Sequence, residues 1–147
     1  MFRAILAAVV GYVVMAVLVA ALFAAAYAAL GADRAFEPGR YDPSTTWLAL
    51  ACAIGFIAAA LGGMVAVKVG GARGTKWLIV VVLVLGAIDA AFKLARAKDI
   101  PEVRPGDASI SDAMLNARQP SWILAATPFI GALGVTFGAV LAGRKKG

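Results

Sequence analysis

Residues 4–32 read AILAAVVGYVVMAVLVAALFAAAYAALGA, 29 positions without a single Asp, Glu, Lys or Arg. Arg3 stands just before this run and Asp33 just after it. A helix rises 1.5 Å per residue, so the roughly 30 Å hydrocarbon core of a bilayer takes about 20 apolar residues. In lipid every backbone polar group must be satisfied within the segment, which leaves helices or closed barrels. A run this long and this alanine-rich is a spanning helix, and it is too long for the apolar region of a signal peptide. It is therefore read as a retained helix.

Two more uncharged stretches reach spanning length, 47–67 and 121–143, and a fourth, 77–88, stops at Asp89. The expected fold is all-α: one integral membrane domain, a four-helix up-down bundle. Its helices are predicted at about 4–30, 46–69, 76–97 and 120–142. Pro38-Gly39 and Asp42-Pro43 mark the first connection, 31–45, as loop. A short turn follows at 70–75, and the longest connection is 98–119. Within it the Ser109/Asp112 spacing suggests a short surface helix at 111–118, amphipathic through Ile110, Met114 and Leu115. Ser44 or Thr45 can cap the second helix, and Pro120 suits the first turn of the fourth. Trp47, Trp77 and Trp122 fall at helix ends, where interfacial anchors are expected.

The net charge of +6 could point to nucleic acid, but its distribution argues against that partner. Arg3, Lys68, Arg73, Lys76, Arg144, Lys145 and Lys146 flank helix ends on one side, with no acidic residue among them. The other segments hold the remaining seven basic residues and all eight acidic ones. Basic excess in short loops marks the cytoplasmic side. Both termini and the 70–75 turn are thus expected in the cytoplasm, with 31–45 and 98–119 facing outward.

The chain has no histidine and one cysteine, Cys52. This argues against a bis-histidine haem site, a histidine-bound zinc or copper centre, and a cysteine-ligated iron–sulfur cluster. No cofactor, metal or catalytic residue is expected, and Cys52 reads as a small apolar filler. The stretch Gly70-Gly71-Ala72-Arg73-Gly74-Thr75 lacks the order of a phosphate-binding loop.

The third predicted helix can span only if it carries Asp89, Lys93 and Arg96 through the membrane. An ionised carboxylate in hydrocarbon needs a partner. Lys93 at i+4 supplies one in the favourable order, and Arg96 follows at i+7. No other predicted helix offers a charged partner, with only Tyr12, Tyr27, Cys52, Thr127 and Thr136 at depth, so a self-neutralised pair is the expected arrangement. Small residues recur at helix-packing spacing: Gly55, Ala59 and Gly63 in the second helix, and Gly131, Gly134 and Gly138 in the fourth. More than one striped helix suggests contact beyond the chain, with other integral membrane subunits or with a second copy.

Three segments resemble a group of small bacterial four-helix membrane proteins. They are Gly11-Tyr12, the run from Gly31 to Tyr41 (GADRAFEPGRY), and Ala117-Arg118-Gln119-Pro120-Ser121-Trp122. The resemblance implies multi-pass topology in a bacterial inner membrane and carries no biochemical activity with it. The function expected on these grounds is a non-catalytic accessory subunit of a larger inner-membrane complex, of the energy-transducing kind. The alternative is a small homo-oligomeric transporter, channel or proton-coupled protein using Asp89 and Lys93.

Overall fold

The computed structural model describes residues 1–97, 99, 103, 109 and 116–144. It is all-helical. Among the described residues the helices are α1 (Phe2–Leu30), α2 (Ala32–Ala35), α3 (Thr45–Arg96) and α4 (Ser121–Arg144). No strand accompanies them beyond an isolated bridge between Phe36 and Pro43. Three helices, α1, α3 and α4, are long and apolar enough to cross a membrane. Most of the surface helix expected at 111–118 lies outside the described residues, with Ile110, Met114 and Leu115, as do Lys98, Lys145 and Lys146.

The turn expected at 70–75 is not a loop. It is compressed into one residue, Gly71, whose φ of 63° and ψ of −158° interrupt an otherwise continuous α3. That backbone region is open essentially to glycine alone. The two limbs, 45–70 and 72–96, fold back on each other there. A Cβ added at Gly74 would lie 3.0 Å from the Ala66 carbonyl, eight residues away, where a straight helix would separate them by about 12 Å. Side-chain donors reach carbonyls on both sides of the break. The Arg3 Nε–H donates to the Val69 carbonyl at 2.8 Å, and the Thr75 hydroxyl to the Gly71 carbonyl at 3.3 Å.

Both α1 and α4 pack on α3 and make no comparable contact with each other. The joints are built from small residues. A Cβ at Gly11 would meet Leu78 at 2.9 Å and the Gly62 carbonyl at 3.0 Å; one at Gly62 would run into Met15. On the other side Gly63 abuts the Val135 backbone, Gly138 abuts the Ala60 backbone, and Gly134 lies against Ala59. Ala59, Ala66, Leu78 and Val135 are fully buried in this seam. Without side chains beyond Cβ, backbones approach closely enough to exchange dispersion contacts that lipid tails cannot match.

The far end is built from large residues instead. Pro38-Gly39 forms a tight turn, with Gly39 at φ 69° and the Arg40 N–H donating to the Glu37 carbonyl at 3.1 Å. The loop then returns to Ser44, whose hydroxyl accepts from the Trp47 N–H at 3.2 Å and caps α3. Trp47 stacks against Phe23 (centroids 5.6 Å apart) and stands edge-on to Tyr27 (6.0 Å), with Phe36 on the other side of Tyr27 at 6.4 Å. The Arg118 N–H donates to the Tyr41 carbonyl at 3.0 Å and ties this cluster to the start of α4.

Candidate functional site

A cavity of about 580 Å³ opens between the small-residue seam and the aromatic cluster. Its walls come from α1, both limbs of α3, and α4. The room exists because the helix faces turned to it carry little: Ala16 and Ala20 from α1, Ala51 and Gly55 from the first limb of α3. The seam bounds it at one end, where Met15 lines it and Val82 packs against Gly131. The Pro128 ring packs within 2.9 Å of a Cβ position at Gly86, which sets the register between the second limb and α4. Asp89 and Lys93 therefore lie one and two turns beyond that contact, level with the start of α4 and with Gln119. From Val82 to Lys93 is 11 residues, or roughly 16 Å along the helix.

The polar groups are unevenly placed. The Thr127 hydroxyl donates to the Ile123 carbonyl at 2.7 Å, so it is spent within α4. It serves that carbonyl and not the Leu124 carbonyl that Pro128 deprives of a donor. The rim carries the charge: Lys93 Nζ lies 2.8 Å from Asp89 Oδ2, with the two side chains 47% and 59% exposed. Arg96 stands apart from this pair, its guanidinium 5.7 Å from the centre of the Phe92 ring. Cys52 lines the cavity and is half-buried. Among the described residues no group of three or more carboxylates or cysteines gathers to hold a metal. The arrangement is a mainly apolar, partly open cavity with Tyr12, Cys52 and Thr127 on its walls and one ion pair at its edge.

The structure divides the residues that the spacing had grouped together. Ala59, Gly63, Gly134 and Gly138 sit in tight helix joints within the chain, and Gly131 faces Val82. Gly55 does not pack: a Cβ there meets nothing within 4 Å, and it faces the cavity. Trp47 is 8% exposed, packed inside the aromatic cluster; Trp77 and Trp122 are 44% and 62% exposed. The physical reason is that loop 31–44 folds over the end of α3 and covers the ring. The cavity itself escaped the sequence reading. Its one signal was the run of small residues at 16, 20, 51 and 55, which has the spacing of a packing stripe.

Comparison with known protein families, with curated proteins and with solved structures gives no match.

Proposed function

We propose that this chain is a four-span, up-down integral protein of a bacterial inner membrane, with both termini cytoplasmic. It works by binding and not by catalysis, and it holds an apolar or amphiphilic molecule between its helices. The observation that carries this reading is the cavity of about 580 Å³, mainly apolar and bordered by one ion pair. Its volume falls within the roughly 300–1,000 Å³ of small-molecule sites, which are apolar with a few placed polar groups. The topology is supported by the sorting of charge. Arg3, Lys68, Arg73, Lys76 and Arg144 belong to the end where the limbs of α3 turn. The opposite end mixes signs, as in the Arg40–Asp42 pair at 2.8 Å.

The test is gentle extraction followed by native mass spectrometry, comparing the parent with Gly55→Leu. Leucine at 55 projects into the open space and should displace the occupant. A retained small hydrophobic molecule in the parent that is lost from the variant is the expected result. A parent that carries nothing, with a variant indistinguishable from it, overturns the reading.

The accessory-subunit role is favoured by a different feature. Ile5, Val9, Val13 and Val17 form an exposed ridge at four-residue spacing along α1, a surface that fits a neighbouring helix as well as lipid. A stoichiometric set of larger subunits migrating with the chain on a native gel would establish that role.

A further inference from the structure

We infer that the cavity takes one acyl chain of a zwitterionic phospholipid, tail towards the Val82–Gly131 end and headgroup against the Asp89–Lys93 pair. The inference rests on the binding role proposed above and names the ligand. Three observations carry it.

The first is shape. The cavity lining is mainly apolar, and its two charged residues, Asp89 and Lys93, stand together at one end, so the cavity suits a molecule that is apolar along most of its length and charged at one tip. Its depth of roughly 16 Å from Val82 to Lys93 is about half of the 30 Å hydrocarbon core. That matches a chain from a single leaflet, entering from the side on which Lys93 lies.

The second is the void at Gly55. Open space beside a glycine in a helix interior, with Ala51 one turn away, is room that the chain does not fill from its own described residues. The walls next to Gly55 are apolar, so a water there would have few partners. In a bilayer the occupant at hand is a lipid tail.

The third is charge complementarity at the rim. Lys93 has three N–H donors, of which the contact with Asp89 engages one, and Asp89 keeps lone pairs free of that contact. Both side chains are about half exposed and within reach of a headgroup. The pair is neutral as a unit but offers a cation and an anion side by side. An ethanolamine headgroup presents the converse set, a phosphate for Lys93 and an ammonium for Asp89. A purely anionic head would satisfy Lys93 and be repelled by Asp89.

The experiment uses Trp47, which lines the cavity. In a Trp77→Phe/Trp122→Phe background it is the single tryptophan. The protein is reconstituted in vesicles in which a minority phospholipid carries brominated acyl chains, which quench tryptophan on contact. In one set this lipid is phosphatidylethanolamine among unbrominated phosphatidylglycerol; in the other the roles are exchanged. The expected result is greater loss of Trp47 emission with brominated phosphatidylethanolamine than with brominated phosphatidylglycerol. Gly55→Leu should abolish most of the quenching, and Asp89→Asn/Lys93→Gln should remove the preference while leaving the quenching itself. Equal quenching by the two lipids in the parent overturns the headgroup assignment and with it the inference. Absent quenching, while native mass spectrometry still finds another molecule that Gly55→Leu displaces, overturns the phospholipid but leaves the binding role standing. Absent quenching and no displaced molecule overturn both.

Discussion

Glycines that look alike in the sequence do opposite work here. Gly138 lies against the Ala60 backbone, where a methyl group has no room, whereas Gly55 faces open space. Gly138→Ala should therefore destabilise by about 1–3 kcal/mol through overpacking. Gly55→Ala should stabilise by about 0.5–1 kcal/mol, because alanine has less backbone entropy to lose in a helix. Thermal unfolding in detergent, followed by circular dichroism, separates the two signs. Trp47 holds a cluster that includes Phe23, Tyr27 and Phe36. Its truncation to alanine should lower stability by about 3–5 kcal/mol, against little change for the exposed Trp122→Ala. Asp89 and Lys93 form one unit at the cavity mouth. Either single neutralisation leaves a lone charge beside apolar wall, while Asp89→Asn/Lys93→Gln removes both charges. The double variant should melt above either single variant, and strict additivity of the three melting shifts would dissolve the unit. Loss of solute flux through reconstituted Asp89→Asn, with assembly intact, would turn the reading towards transport.

Within the elements, the decisive choice is the break in α3. Gly71 adopts a conformation closed to other residues, and the neighbouring Gly70 and Gly74 let the bend press against α1 near Ala4 and Ala7. Gly71→Ala should cost about 1–3 kcal/mol from backbone strain alone. Gly39→Ala should cost far less to the bundle, since Gly39 is exposed at a loop tip. Comparing the two melting temperatures distinguishes a hinge that organises the bundle from a general intolerance of alanine at positive φ. A cap at Ser44 or Thr45 is legible in advance because capping is local; the chain uses Ser44, whose hydroxyl reaches the amide three residues on. The position of the turn after Val69 is less so, because Gly70, Gly71 and Gly74 are all eligible, and only the fit against α1 selects among them.

Taken whole, the molecule has two unlike ends. One is zipped by small residues and carries Arg3, Lys68, Arg73, Lys76 and Arg144; the other is propped open by aromatic rings and carries mixed charge. Under the proposed topology a reporter fused after Gly147 should be active only in its cytoplasmic form. Replacing Lys68, Arg73 and Lys76 with Gln should raise the fraction of inverted chains, because the basic bias orients the bundle. An unchanged fusion pattern would count against the 68–76 segment as the orienting signal. The seam also redirects the expectation about partners. Gly63, Gly134 and Gly138, whose spacing pointed to contacts beyond the chain, are consumed inside it.

The sequence by itself determined the features that depend on neighbours along the chain. These are helical class, from uncharged runs of spanning length; a cap within Ser44–Thr45; and the Asp89–Lys93 pair, which one turn of helix brings within 2.8 Å. It also contained the sorting of basic residues, since counting needs no coordinates. Only the tertiary structure decided which small residues touch another backbone and which leave a void. It also decided whether Trp47 is covered, and where the limbs of α3 turn. Periodicity reports which residues share a helix face, but the distance from that face to the next helix is set by every other contact in the bundle. Gly55 and Gly63 stand eight residues apart, about 80° around the helix, and only the packing of the other helices leaves open space at one and sets the Val135 backbone against the other.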